Sequence, residues 1–264
     1  MDIANSYDRW ASQYDTDENK TRDLEAIALR SMLGDMEFRH CLELGCGTGK
    51  NTGWLIGRSK KITAVDLSTE MLAAASRKIQ NPKVKFVQAD LLKEWRFIEE
   101  PVDLVSFSLV LEHIEHLGEI FRKASAILEP RGHLYLGELH PYKQYSGTKA
   151  RFDTSEGRQV LTCFNHHISD FTDAAQQSSL QISNLMEFFD DEAKITPRII
   201  SLLFKKLWRF SGPDQIFLLI NQNQEYPDNL VFQVTPDAAS KQMFNFPLTA
   251  AEWGDNIAMS KLLL

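Results

Sequence analysis

The chain has 264 residues, 43% of them hydrophobic and 25% charged, which suits one large globular domain or a domain with a cap and a tail. A formal net charge of −7 argues against a nucleic-acid surface, which needs a basic footprint to neutralise phosphates. The three cysteines, Cys41, Cys46 and Cys163, are odd in number and lack zinc-site spacing, so they read as reduced thiols of a cytoplasmic protein with no metal centre.

The opening segment, MDIANSYDRW, lacks the basic start and apolar run of a signal peptide, and no stretch is apolar for long enough to span a membrane. Residues 21–33 place Leu24, Ile27, Ala28 and Leu33 at helical spacing. CLELG (41–45) is a short strand ending in a glycine turn, and 48–58 read as a helix. ITAVDLS (62–68) is a second strand, followed by a helix over 69–79. VKFVQAD (84–90) alternates as a third strand, and VDLVSFSLVL (102–111) is a fourth, buried on both faces. A helix over 117–128 stops at Glu129-Pro130-Arg131-Gly132, and HLYLGEL (133–139) is the fifth strand. This alternation is the signature of a doubly wound α/β domain with a mostly parallel sheet, whose ligands sit at the carboxyl ends of the strands.

Past residue 140 the rhythm breaks. Residues 140–160 are polar and aromatic, with two glycines, and read as an insertion over the strand ends, a candidate lid running to about residue 165. A helix is expected over 170–180, with closing strands over 181–189 and 215–223. RIISLLFKKLWRF (198–210) is basic and apolar, and is expected as a helix that packs on the domain or lies on a membrane surface. The segment from 224 to 264 has no periodicity and no assigned role. The expected division is 1–223 as one domain, with N-terminal cap helices over 5–35, and 224–264 as an extension.

The glycine loop reads Glu43-x-Gly45-x-Gly47-x-Gly49. A dinucleotide loop is GxGxxG, and a phosphate loop needs GK followed by Ser or Thr, where this chain has Asn51. Neither phosphate reading fits. LELGCGTG (42–49), AVDLS (64–68), FVQADLL (86–92) and VDLVSFSLVLEHI (102–114), in that order and spacing, resemble the class I S-adenosylmethionine-dependent methyltransferases. The resemblance covers roughly residues 5–220. It implies a Rossmann-like, seven-stranded, mostly parallel sheet with the last strand antiparallel, helices on both faces and the insertion after strand 5.

The resemblance also assigns cofactor residues. Glu43, with the backbone of Gly45, Cys46 and Gly47, would face the amino-acid end. Asp66, beside Leu67, would take the ribose hydroxyls. Asp90 and Leu91 would meet the adenine, and Leu109 the methionine portion. Asp66 and Asp90 suit helix caps or turn residues as well. YDRWASQYD (7–15) resembles a segment that folds as a helix over the cofactor in a subgroup of these enzymes. Its Tyr7, Trp10 and Tyr14 share one helical face, a pattern of plain packing too. Tyr14 is a candidate cofactor contact, and Arg22 a candidate partner for the cofactor carboxylate.

Methyl transfer needs a base only when the acceptor atom carries a proton. His140, which follows the fifth strand, is the first candidate. The pair His166-His167 suits a strand with one ring inward, and Glu112-His113 suits a solvated turn as much as a place near the sulfonium. The place after strand four reads SLVLEH, not the [DN]PPY associated with amino-group methylation of nucleobases or glutamine. The aromatic, mixed-charge insertion, with Tyr142, Tyr145 and Phe152, suits a small organic acceptor or a short peptide end. Lys143, Lys149, Arg151 and Arg158 could recognise an acidic one. Oxygen, nitrogen and carbon acceptors stay open. A non-catalytic, cofactor-binding partner protein is the alternative reading.

Overall fold

The computed structural model describes residues 3–154, 157–207, 216–217, 229–234 and 242–247. The chain forms two compact units, Met1–Trp208 and Arg209–Leu264. In chain order the first unit contains α1 (Ile3–Trp10), α2 (Lys20–Leu33), β1 (Phe38–Leu44), α3 (Lys50–Leu55), β2 (Ser59–Asp66), α4 (Thr69–Lys78), β3 (Val84–Gln88), β4 (Val102–Ser108), α5 (Leu117–Ile127), β5 (Leu128–Leu139), α6 (Pro141–Tyr145), β6 (Arg151–Thr154), β7 (Gly157–Val160), α7 (Ile168–Gln177), β8 (Leu180–Phe189) and β9 (Pro197–Lys206). A 3-10 turn, Leu111–His113, follows β4.

Seven strands form one sheet in the order β3-β2-β1-β4-β5-β9-β8. All pairs among β3, β2, β1, β4 and β5 are parallel, and β9 runs antiparallel to both its neighbours. The last strand of this sheet in the chain is thus its one reversed strand. The second unit holds a three-stranded antiparallel sheet, β10 (Ile216–Phe217), β11 (Asn229–Val234) and β12 (Gln242–Pro247).

The central strands are apolar on both faces because helices cover both. On one face Phe107, Phe121, Phe171 and Phe204 pack with Leu42, Leu44 and Leu136. On the other, Leu29, Leu33, Leu55, Leu104 and Tyr135 pack with Ile62 and Ala64. Of the segment 198–210, expected as a helix, residues 198–206 lie instead in the strand β9, with Ile199 to Phe204 all buried between β5 and β8, and 208–210 lie outside the described residues. An unbroken apolar run of that length fits a doubly covered strand as well as a helix, and the partner strand decides. β9 therefore closes the sheet with β8, in place of the expected 215–223. Only Ile216 and Phe217 of that stretch are described, and they belong to the second sheet. The Pro130–Gly132 break lies within β5 as an irregularity, where the register with β4 shifts between Val102 and Leu104.

The N-terminal segment is strapped across the carboxyl end of the sheet. Asp8 Oδ1 accepts from Ser68 Oγ at 2.5 Å and from the Glu70 amide at 3.1 Å. Asp15 Oδ1 accepts from Thr48 Oγ1 at 2.5 Å, and its Oδ2 pairs with Lys78 Nζ at 2.6 Å. Tyr7 Oη lies 2.8 Å from His113 Nε2. The helix stops at Trp10, yet Tyr14 still returns to the same cluster. Tyr7 stacks on Trp10 with centroids 5.8 Å apart, and Trp10 meets Tyr14 edge-on at 4.8 Å. The aspartates of the YDRWASQYD segment are thus anchors, and its aromatics pack together between them.

Two outcomes follow. Phe107→Ala removes a wholly buried ring from the core and is expected to cost about 3–5 kcal/mol in urea unfolding. Asp8→Ala removes an acceptor of two hydrogen bonds. Limited proteolysis within the first twenty residues is expected to quicken roughly tenfold, and an unchanged rate would show that the strap is held elsewhere.

Candidate functional site

Four adjacent strands bring the candidate cofactor residues to one edge. Glu43 to Gly47 lie at the end of β1, Asp66 and Leu67 at the end of β2, Asp90 and Leu91 just past β3, and Leu109 just past β4. Their order across the sheet, 3-2-1-4, sets adenine, ribose and methionine candidates side by side.

The glycine loop is shaped for close approach. Gly45 has φ 75°, and a Cβ there would fall 2.1 Å from Val110 Cγ2, so this glycine lets the loop after β4 sit on the loop after β1. Gly47 has φ 53°, a left-handed conformation, and a Cβ there would meet the Tyr14 ring at 3.9 Å, in van der Waals contact. The loop backbone thus lies against the Tyr14 ring. The amides of Gly45 and Cys46 both donate to the Val65 carbonyl, at 2.8 and 3.0 Å, which fixes the turn. Cys46 is buried, and burial raises its thiol well above the ordinary range. It is no nucleophile.

Asp66 accepts from the Gly47 amide at 2.7 Å through Oδ2 and from the Ser68 amide at 2.9 Å through Oδ1. It joins loop and helix start, and burial raises its carboxyl despite those amides. Asp90 Oδ1 accepts from the Leu92 amide at 2.9 Å, as a turn residue does. The Leu91 carbonyl accepts from Trp95 Nε1 at 2.9 Å, and the Leu67 carbonyl accepts from Gln88 Nε2 at 3.2 Å. Glu43 lies deeper than expected. It is buried and accepts from Thr52 Oγ1 at 2.5 Å, and burial, with Glu25 and Asp66 nearby, pushes its carboxyl up to about 8.

A cavity of about 560 Å³ opens beside Leu109. Tyr7, Tyr14 and Arg22 line it from the strap side, Leu109, Glu112 and Leu139 from the strand ends, and Thr148 to Arg151 from the approach to the β6–β7 hairpin. The Arg22 guanidinium lies over the Tyr14 ring, 3.9 Å from its centroid. It donates to the backbone carbonyls of Tyr14 and Asp17, while its buried Nε has no partner among the described residues.

His140 is the candidate that the structure does not bring to this cavity. It is buried at the start of α6. Its Nε2 lies 2.9 Å from Glu187 Oε1, its Nδ1 accepts from the Tyr142 amide at 3.1 Å, and burial lowers its pKa. Both ring nitrogens are spent on the fold. His166 is likewise buried, its Nε2 within 3.1 Å of the Leu111 and Ile114 carbonyls. Among the described residues no group of His, Cys, Asp and Glu could hold a metal ion, and no helix is long and apolar enough to cross a membrane.

Two buried carboxyls are central, Glu112 and Glu138, and Glu138 is absent from the sequence-based candidates. Glu138, in β5, accepts from the Val110 and Leu111 amides at 3.0 and 2.9 Å through one oxygen. Burial, with Glu112 nearby, pushes it up to about 8. Glu112 is 6% exposed, lines the cavity and has an Oε2 without a partner among the described residues. The signal for Glu138 was a lone acid inside the apolar strand HLYLGEL.

A family model described as a methyltransferase domain matches residues 42–136. An uncharacterized methyltransferase of Emericella nidulans is 24% identical over 69% of this chain and 77% of its own length. A malonyl-[acyl-carrier protein] O-methyltransferase of Priestia megaterium is 35% identical over 47% of this chain and 41% of its own. Among solved structures, the complex of DhpI with S-adenosylhomocysteine (SAH) superimposes with a TM-score of 0.63 at 22% identity, covering 78% of this chain and 96% of that one. The strand order, the glycine loop beside an acidic strand end and these matches agree. Residues 42–136 form a methyltransferase domain, set in a sheet with the fold of the class I S-adenosylmethionine-dependent methyltransferases.

Proposed function

We propose that the protein transfers the methyl group to a small organic acceptor that carries an anionic group. The observation that carries this reading is the composition of the cavity. Arg22, Lys149 and Arg151 line it, and Lys149 and Arg151 stand at its exposed rim. A cavity of this size takes a metabolite-sized molecule. The malonyl O-methyltransferase similarity points the same way.

In this reading Asp66 holds the ribose hydroxyls, Asp90 and Leu91 meet the adenine, and Leu109 lies along the methionine chain. The loop from Glu43 through Gly45, Cys46 and Gly47 shapes the bed of the amino-acid end, with Tyr14 above it and Arg22 on its carboxylate. The bound sulfonium supplies an activated methyl carbon. The protein's task is then to hold the acceptor in line and exclude water, worth on the order of several kcal/mol. The strap and residues 148–151 serve as the cover, so the insertion acts as a lid. His140 supports α6 beneath that lid and moves no proton.

Incubation with methyl-labelled cofactor and a panel of small carboxylic, hydroxy and amino acids tests the reading. Label is expected in one anionic class of small molecule; transfer only to protein or nucleic acid would sink it. Asp66→Ala is expected to weaken cofactor binding at least ~tenfold by calorimetry, since it removes a charged hydrogen-bond acceptor. Lys149→Ala with Arg151→Ala is expected to raise the acceptor KM roughly tenfold while leaving cofactor affinity alone. An unchanged KM would take the anionic group away from this rim.

A further inference from the structure

Glu112 is the buried carboxyl of the cavity. The other acids lining it, Asp17 and Glu18, are exposed to solvent. The chain places Glu112 there by a specific route. Leu109 adopts a left-handed φ of 58°, which turns the backbone sharply at the end of β4. Val110 then packs on Gly45, Glu138 takes the next two amides, and the 3-10 turn delivers Glu112 to the cavity wall. A buried carboxyl oxygen with no hydrogen-bond partner is costly, and proteins keep such groups where a ligand completes them.

We propose that Glu112 is the counter-charge for the cofactor's sulfonium, so that the site distinguishes S-adenosylmethionine from its neutral demethylated product. The proposal rests on the cofactor reading above. The position fits, because residues 109–112 run from the glycine loop that cradles the amino-acid end to the cavity wall. The setting fits too. Tyr7, Trp10 and Tyr14 face the same cavity, and aromatic rings with a carboxylate make a wall for a cation.

The titratable groups around Glu112 are His113 beside it, Tyr7 of α1, Cys163 after β7, whose thiol donates to it, and Glu138 of β5. Arg22 and Lys149 share its cavity. Burial raises the Glu112 carboxyl, so the empty site makes its ionised form harder to reach than in water. A cation arriving beside it favours the ionised form, and the proton leaves to solvent as the charge is paired. Binding of the cationic form should therefore tighten as pH rises, until Glu112 is ionised without help. SAH carries no sulfonium and should show no such dependence.

The test is calorimetric titration of wild type, Glu112→Gln and Glu112→Asp with S-adenosylmethionine and with SAH, across the whole pH range in which the protein stays folded. Wild type should bind the cationic ligand more tightly at the higher pH. Glu112→Gln should lose roughly tenfold for that ligand and its pH dependence, and stay within about twofold for SAH. Glu112→Asp should restore part of the preference. Retained SAH binding shows that the variant is folded with its site intact. An unchanged ratio of the two affinities, or equal loss of both, overturns the counter-charge and leaves the cofactor reading standing. Wild type that binds neither ligand overturns both.

Discussion

The site hangs on one buried carboxyl. Glu138 Oε1 accepts from two successive amides, Val110 and Leu111, immediately after the left-handed turn at Leu109. A non-glycine residue at positive φ is strained, of order 1–3 kcal/mol, and persists only where its surroundings hold it. Here the Leu109 amide donates to Gly137 at 2.8 Å, and Glu138 holds the next two residues, so β5 dictates the path of the chain leaving β4. Everything functional follows from that path. Val110 reaches Gly45, Glu112 reaches the cavity, and His113 reaches Tyr7 of the strap.

Glu138 is one of several acids in an unusually acidic interior. Glu25, Glu43, Glu112 and Glu138 are all buried, and burial raises every one of their pKa values. Their partners are neutral: Asn51 and Tyr135 for Glu25, Thr52 for Glu43, amides for Glu138, and the Cys163 thiol for Glu112. Glu43 and Glu138, pushed up to about 8, hold their protons near neutrality and so avoid much of the cost of a buried charge. The linkage sign follows. A carboxyl whose pKa rises on folding favours the native state below its unfolded pKa, and that contribution is lost as pH climbs through the window up to about 8.

The strands from β1 to β5 and the helices between them were legible because each carries its own period and its own stop. The motif positions at strand ends were legible for the same reason, since a parallel sheet puts successive carboxyl ends on one edge. What sequence could not show was tertiary. β9 reads as helix or strand until β5 and β8 flank it. His140 looks free at a strand end until Glu187 and the Tyr142 amide occupy both its nitrogens. Asp8 and Asp15 look like surface acids of a helix until Ser68 and Thr48, distant in sequence, meet them. Glu112 had two readings of equal standing, and only its burial beside the cavity separates them.

The strap joins the two halves of the chemistry. Tyr14 lies against the glycine loop and lines the cavity, and Arg22 stacks on Tyr14 while donating to the backbone of the strap. The residues over the glycine loop therefore also form a wall of the cavity. Asp8 and Asp15 clamp those residues to Ser68 and Thr48, the first at the close of β2 and the second inside the glycine motif. The glycine loop and the start of α4 thus hold down the strap as well. The position of the glycine loop and that of the cavity's strap-side wall are therefore coupled through Asp8 and Asp15.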